Sequence, residues 1–215
     1  MKKLILIALI GSVGLSVHAQ NISVNAYGGY VFNNKFDSYY DYGEYYEGDI
    51  KGGFQWGVGV EYRVQPSVGI ELSYFRQDTH SPTSYLMRDQ LVPKYTDFDL
   101  GINYIMLGGN KYYRVPNSQF EGFGGLSAGI FTAGLSNPDN GNETNATKFA
   151  WGGKLGGIFW ASDKVGIKLQ MQLLSAVQAV GGGFYFGTGG VSTGLSSYST
   201  IYQFSLGGGL VFNLN

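Results

Sequence analysis

Strict alternation of apolar with small or polar side chains runs through residues 54–64, and it restricts the possible folds more than any other feature. Phenylalanine, tryptophan, valine and tyrosine occupy every second position, with glycine, glutamine, glutamate and arginine between them. A period of two indicates a β-strand with one apolar face and one small or polar face. After a turn at 65–67, residues 68–75 resume the alternation in matching phase, which predicts an antiparallel hairpin.

The same pattern predicts six more strands. A second hairpin consists of residues 149–160 and 165–173 on either side of a turn at 162–164. Four further strands are predicted at 24–32, 96–107, 120–132 and 201–214, so the chain has eight strands. The segment 108–115 is ambiguous, and it fits an extension of the fourth strand through a bulge.

The connections between these strands alternate in length. Those at 65–67, 115–119 and 162–164 are short, whereas those at 33–52, 78–94, 133–148 and 178–200 are long. Short turns at one end and long loops at the other are typical of transmembrane barrels, with the turns in the periplasm and the loops outside the cell. The predicted fold is therefore all-β, an eight-stranded antiparallel up-and-down transmembrane β-barrel with both termini on the periplasmic side.

The polar face distinguishes a membrane barrel from a soluble one. A water-exposed face is expected to be rich in lysine, glutamate and threonine, whereas this face is crowded with glycine, of which the chain has 35. Glycine and pairable charges suit a narrow lumen. The predicted lumen charges are Glu61, Arg63, Glu71, Asp97, Asp99, Glu121, Lys154 and Lys168. The predicted lipid-facing aromatics are Phe54, Trp56, Tyr62, Tyr74, Tyr104, Trp151, Phe159, Tyr202 and Phe212.

The first residues of the chain predict export. Lys2 and Lys3 precede an apolar run at 4–13, and small residues follow up to Ala19, which is the pattern of a cleavable Sec-type signal. We expect a signal peptide at 1–19 and a barrel domain at 20–215, located in the outer membrane of a Gram-negative-type cell. The mature charge of 12 − 15 = −3 gives no electrostatic case for nucleic acid. Cysteine is absent, and neither a cofactor nor a metal site is predicted.

Three segments carry a resemblance to a known group of proteins: "KYYRVP" at 111–116, "GFGGLSAGIF" at 122–131 and "FSLGGGLVFNLN" at 204–215. The chain resembles the small outer-membrane barrel superfamily that includes the OmpA transmembrane domain, OmpX and OmpW, particularly the Bacteroidota "outer membrane protein beta-barrel domain" proteins. The resemblance implies the architecture and a partner, the barrel-assembly machinery, which recognises a C-terminal aromatic residue. This chain ends in Asn215, and Phe212 is the nearest aromatic.

The first long loop is the predicted surface-binding segment. It combines aromatic and acidic side chains, which offer contact area and charge. Its candidate residues are Tyr39, Tyr40, Asp41, Tyr42, Glu44, Tyr45 and Tyr46. Outer-membrane lipid and lipopolysaccharide are the other expected partners, and a surface ligand would be a further one.

The functional prediction is a structural or surface-interaction barrel that is not an enzyme. Eight strands enclose an interior about wide enough for its own side chains, which disfavours a diffusion pore. The first alternative is a narrow OmpW-like channel for small apolar molecules. The weakest alternative, a lipid A-modifying enzyme, rests on His80, which is predicted to lie in a solvated loop because "DTHSPTS" contains a proline.

Overall fold

The computed structural model describes residues 21–39, 45–86, 92–136, 138, 141, 143–177 and 201–214. The predicted signal peptide, the middle of the first loop and the whole of the fourth loop lie outside the described residues, and so does Asn215. No helix among the described residues is long and apolar enough to cross a membrane.

The described residues form ten β-strands. Their bounds are β1 Ile22–Val31, β2 Asn34–Tyr39, β3 Tyr45–Ile50, β4 Gly53–Gln65, β5 Val68–Leu86, β6 Lys94–Arg114, β7 Phe120–Ser136, β8 Glu143–Trp160, β9 Val165–Val177 and β10 Ile201–Asn213. Eight of them, β1 and β4 to β10, pair antiparallel with their neighbours. Because β1 pairs with both β4 and β10, and β5 pairs with β6, the sheet closes. The eight-stranded antiparallel barrel predicted from the alternation is confirmed.

The other two strands form a hairpin that rises from the wall. β2 pairs with β3 from Asn34 opposite Ile50 to Tyr39 opposite Tyr45. β3 also pairs with the upper part of β5, where Gly48 lies opposite Thr83. The connection predicted as a long loop between the first two wall strands is therefore partly ordered as a sheet extension.

Three short turns close the opposite end of the barrel, at the predicted positions. In the turn after β6, Asn117 has a φ of 55°, a left-handed conformation that asparagine tolerates. The Ser118 hydroxyl accepts a hydrogen bond from the Phe120 amide at 3.0 Å. In the turn after β8, the Ser162 hydroxyl accepts from the Lys164 and Val165 amides. Hydroxyl caps of this kind are typical of tight turns.

The prediction of long loops at 78–94 and 133–148 is wrong, because most of the residues in these ranges continue the strands. His80 lies opposite Asp99 in an unbroken β5–β6 ladder, and Pro82 lies opposite Asp97. Pro82 is tolerated because it lies beyond the last β4 partner of β5, at Gln77, and before the β3 pairing resumes. The ambiguous segment 108–115 is mostly strand, and the register from Asp99 to Arg114 shows no bulge.

Candidate functional site

Six of the eight predicted lumen charges point into the barrel. They are Glu61, Arg63, Glu71, Glu121, Lys154 and Lys168. Their strands deliver them there because every second residue of β4, β5, β7, β8 and β9 faces inward. Three carboxylates therefore meet three cations in the lower half of the lumen, near the short turns.

Glu71 is the centre of this lumen network. Its carboxylate is 1% exposed and accepts hydrogen bonds from the Asn25 and Asn110 amides, both at 3.0 Å. The Tyr27 hydroxyl and the Lys154 ammonium also donate to it. A carboxylate out of contact with water is stable only with such partners. Glu71 thereby joins β1, β5, β6 and β8 across the lumen.

Glu61 forms a second node with some of the same partners. It accepts from the Asn110 amide at 2.7 Å and from the Tyr112 hydroxyl at 2.5 Å. Arg63, two residues along β4, donates its Nε to Glu61 at 3.1 Å. Because Asn110 donates to both Glu61 and Glu71, the two carboxylates are parts of one hydrogen-bonded network.

Lys168 completes the charge balance of the network. Its side chain is 1% exposed, and the ammonium lies 3.4 Å from the Asn25 amide oxygen and 3.2 Å from the Tyr27 hydroxyl. It also lies 4.6 Å from the centroid of the Phe123 ring, within cation–π range. Since Tyr27 donates to Glu71, this hydroxyl links Lys168 to the carboxylate.

The lower mouth of the lumen is closed by an arginine–glutamate pair. Arg63 donates two N–H groups to the two oxygens of Glu121, both at 3.1 Å. Such bidentate pairs are among the strongest and most directional in proteins. The Arg63 guanidinium also stacks 3.4 Å above the Tyr112 ring, and the Trp160 indole donates to Glu121 at 3.1 Å. These contacts fill the barrel at the turn end.

The upper lumen has a different character. Gln77, Tyr104 and Gln203 form a chain in which Tyr104 donates to Gln203 and Gln203 donates to Gln77, both at 2.8 Å. Around and above it lies an apolar core. Its members include Phe75, Phe98, Leu100, Ile102, Met106, Phe131, Leu135, Ala150 and Leu174. On the side of β6 and β7 the upper lumen is therefore packed like the interior of a soluble protein, whereas β5 contributes buried polar side chains there: Gln77, Thr79, Ser81 and Thr83.

Three residues of β6 were assigned to the wrong face. Tyr104 is fully buried in the lumen, not lipid-facing, and Asp97 and Asp99 point outward. Asp99 Oδ1 lies 3.0 Å from His80 Nδ1 on the exterior. The prediction failed because β6 and β7 reverse their polarity in the upper part of the wall, where their apolar residues face inward and Asp97 and Asp99 face outward.

The exterior of the lower half is an apolar belt. The other predicted lipid-facing aromatics all lie on it, and all are exposed except the partly buried Tyr74: Phe54, Trp56, Tyr62, Tyr74, Trp151, Phe159, Tyr202 and Phe212. Exposed leucines, isoleucines and valines fill the belt between them. An exposed apolar band of this extent around a closed barrel suits hydrocarbon rather than water.

On β5 and β6 the belt ends one row below Arg76. Tyr74 lies opposite Ile105, whereas the next outward pair is Arg76 opposite Asn103. A membrane strand needs about 9–11 residues, while β6 has 21. At about 3.3 Å per residue and a tilt near 45°, the surplus projects the wall roughly 25 Å beyond the belt.

The predicted surface-binding segment is only partly described. The backbones of Tyr39, Tyr45 and Tyr46 lie in the β2–β3 hairpin, and residues 40–44, which include Tyr40, Asp41, Tyr42 and Glu44, lie outside the described residues. Within the described part of the chain, no cluster of histidine and acidic residues could hold a metal ion.

The fold is that of a small outer-membrane β-barrel. It is similar to the Neisserial surface protein A, with a TM-score of 0.58 and 12% identity over 89% of this chain and 96% of that one. It is also similar to OprG from Pseudomonas aeruginosa (TM-score 0.55, 13% identity, 90% and 96%) and to the protease OmpT from Escherichia coli (0.50, 8%, 90% and 97%). No known family profile and no curated protein matches the sequence.

Proposed function

We propose that this protein is an outer-membrane barrel, exported through the Sec-type signal at 1–19 and inserted by the barrel-assembly machinery. The apolar belt and the likeness in fold to outer-membrane barrels support this location. The contact with the assembly machinery falls on β10, where Phe212 points outward two residues before Leu214. The short turns then lie in the periplasm and the projecting wall lies outside the cell.

Its role is structural and interactive rather than conductive or catalytic. The observation that carries this proposal is the filled lumen: charge-paired side chains occupy the lower half, and an apolar core together with buried polar side chains occupies the upper half. A barrel filled by its own side chains offers no water column for solutes. What remains available to partners is the projecting wall with its loops.

Planar-bilayer recording tests this proposal. Purified protein in a lipid bilayer is expected to give no steady conductance at moderate voltage. A porin recorded in the same bilayer is the positive control, and the purified protein is checked for folding by its heat-dependent gel shift. Steady ohmic current through the unaltered protein would refute a filled lumen.

A test of the surface role uses the first loop. Deleting residues 41–47, which include the first three residues of β3, is expected to abolish binding to host or partner surfaces and to leave the gel shift intact. Deletion of an equal length from the fourth loop, 186–192, serves as the control. Unchanged binding after the first deletion would assign the contacts to another part of the exterior.

The second candidate function is a narrow channel for small apolar molecules. The apolar cluster in the upper lumen favours it, because Ile102, Phe131 and Leu174 would contact an apolar solute that enters from outside. Uptake of an apolar fluorophore into liposomes distinguishes the two functions. A channel predicts uptake that falls when Ala150 is enlarged to Phe, whereas the structural role predicts no uptake by either protein.

The order of residues on the outer wall argues against an enzymatic role. His80, Asp99 and Ser136 are neighbours on β5, β6 and β7, so the aspartate separates the histidine from the serine. A histidine base must contact the nucleophile itself. His80→Ala is therefore expected to leave lipid A acylation unchanged by mass spectrometry, and an altered acylation pattern would restore the enzymatic reading.

A further inference from the structure

A cavity of about 610 Å³ lies at the turn end of the barrel, below the arginine–glutamate pair that closes the lumen. We call it the lower vestibule. Arg63, Glu121 and the rings of Tyr112 and Trp160 form its inner end, and its rim comes from the turns after β4 and β8, the start of β1 and the ends of β6 and β10. Small-ligand sites typically measure about 300–1,000 Å³, so the vestibule has the size of a binding site.

Arg114 is the cation of the vestibule that has no partner. It is the last residue of β6, and it lies directly opposite Glu121 on β7. Side chains directly opposite each other in a sheet are near enough to pair. Both Glu121 oxygens are already used, because Arg63 donates Nη1 and Nη2 to them and the Trp160 indole also donates to one of them. Among the residues that the structure describes, none forms a hydrogen bond or an ion pair with the Arg114 side chain.

The two arginines of the vestibule therefore have different roles. Arg63 donates to Glu61, to Glu121 and to the Pro66 carbonyl oxygen, so its guanidinium is held in place by the barrel itself. Arg114 is exposed and keeps all five of its N–H donors for a ligand. A guanidinium in this state binds a carboxylate through two parallel charge-assisted hydrogen bonds.

The rest of the lining decides which kind of anion fits. Glu121 and Asp163 balance the charges of the two arginines, so the lining is neutral overall and does not attract a polyanion. Asn21, Gln65 and Asn213 lie on the rim and offer amide donors and acceptors. The ligand that matches one unpaired guanidinium among amides has one carboxylate and several amide groups, which describes a peptide.

The volume of the vestibule limits the length of the peptide. A cavity of 610 Å³ corresponds to a sphere roughly 10 Å across, which spans about three extended residues at about 3.3–3.6 Å each. A short segment next to the carboxylate therefore fills the vestibule, and the remainder of a longer chain would extend away from the barrel.

We infer that the lower vestibule binds a peptide carboxylate. The carboxylate pairs with Arg114, and about three residues of the peptide lie against Asn21, Gln65 and Asn213. The inference goes beyond the surface role of the projecting wall and rests on the proposed function only for the compartment: with the short turns in the periplasm, the ligand is a periplasmic peptide. A vestibule that binds no peptide would leave both the location and the conductance prediction standing.

The experiment titrates purified, detergent-folded protein with acetyl-Ala-Ala-Ala, which has one carboxylate, and with its C-terminal amide, which has none. By isothermal calorimetry we expect the acid to bind with a Kd of about 1 mM or lower, and the amide to bind about tenfold more weakly. The variant Trp56→Phe, Trp151→Phe retains Trp160 as its single tryptophan. Because Trp160 lines the vestibule, its fluorescence is expected to change with the same Kd.

A charge variant tests the role of Arg114. Arg114→Gln is expected to weaken binding of the acid about tenfold and to leave binding of the amide unchanged. Lys164→Gln is the matched control and is expected to bind like the unaltered protein, because Lys164 is an exposed cation on the turn after β8 that does not line the vestibule. Heat-dependent gel shifts verify that each variant is folded.

Four results would each overturn the proposal. The acid and the amide could bind equally, the acid could bind Arg114→Gln as tightly as the unaltered protein, or the fluorescence of Trp160 could stay constant while the acid binds. The fourth is inorganic phosphate binding as tightly as the acid, which would show a site for any anion rather than for a peptide.

Discussion

Neutralising Glu71 tests whether the lumen network stabilises the barrel. Glu71→Gln keeps the shape of the side chain and removes its charge, which leaves the buried Lys154 without its carboxylate partner. Removing one member of a buried pair typically costs about 3–5 kcal/mol because the other charge remains out of water. We expect the free energy of unfolding to fall by about that amount, measured by urea titration in lipid vesicles with tryptophan fluorescence.

The double variant Glu71→Gln, Lys154→Gln is the matched control for charge. It restores neutrality, so it is expected to recover about 2 kcal/mol or more of the loss. A second control, Arg76→Gln with Asp78→Asn, removes an exposed pair and is expected to cost less than about 1 kcal/mol. The reasoning fails if Glu71→Gln costs under about 1 kcal/mol, or if the double variant is no more stable than the single one.

Two further predictions concern the two faces of the wall. Gly69→Ala directs a methyl group into the lumen against the buried Glu61 carboxylate, so we expect the free energy of unfolding in urea titration to fall by about 1–3 kcal/mol. Gly122→Ala, on the exterior, should leave it unchanged. Equal losses for the two variants would contradict the assignment of faces. In single-tryptophan variants, brominated lipid should quench Trp56 and Trp151 strongly and Trp160 weakly; strong quenching of Trp160 would place it outside the lumen.

The lower half of the barrel could be predicted because one environment extends along each strand there. In β4 and β5, apolar residues face out and glycine or charge faces in, so the phase of the alternation places Glu61 and Glu71 in the lumen. The same reasoning applies to Lys154 and Lys168 on β8 and β9. Because side chains alternate between the two faces of a strand, knowing which face one residue is on assigns all the other residues of that strand to the lumen or the exterior.

The partners of these charges were not predicted. Asn110 lies in the ambiguous segment 108–115, and Tyr27 lies in the predicted strand at 24–32, for which no inward face was assigned. Their inward positions depend on the closed ladder, because neither residue is charged and neither breaks the alternation. A search for amides and tyrosines in phase with the predicted lumen charges would have found both.

The upper half could not be predicted from alternation alone. In β6 the consecutive residues Ile105, Met106 and Leu107 are all apolar, so the phase of the pattern is lost at the level where the environment changes. The charged residues above this point were then assigned inward, as in the lower half. Only the register with β5 and β7 shows that Asp99 is on the same face as Ile105.

The reversal of polarity follows from the length of the strands. β5, β6, β7 and β8 have 19, 21, 17 and 18 residues, about twice the number needed to cross a bilayer. Beyond the hydrocarbon the exterior meets water and headgroups, so polar residues belong outside and the interior needs an apolar core of its own. In the proposed outer-membrane location, the row on β5 to β8 at which the two patterns exchange marks the membrane boundary.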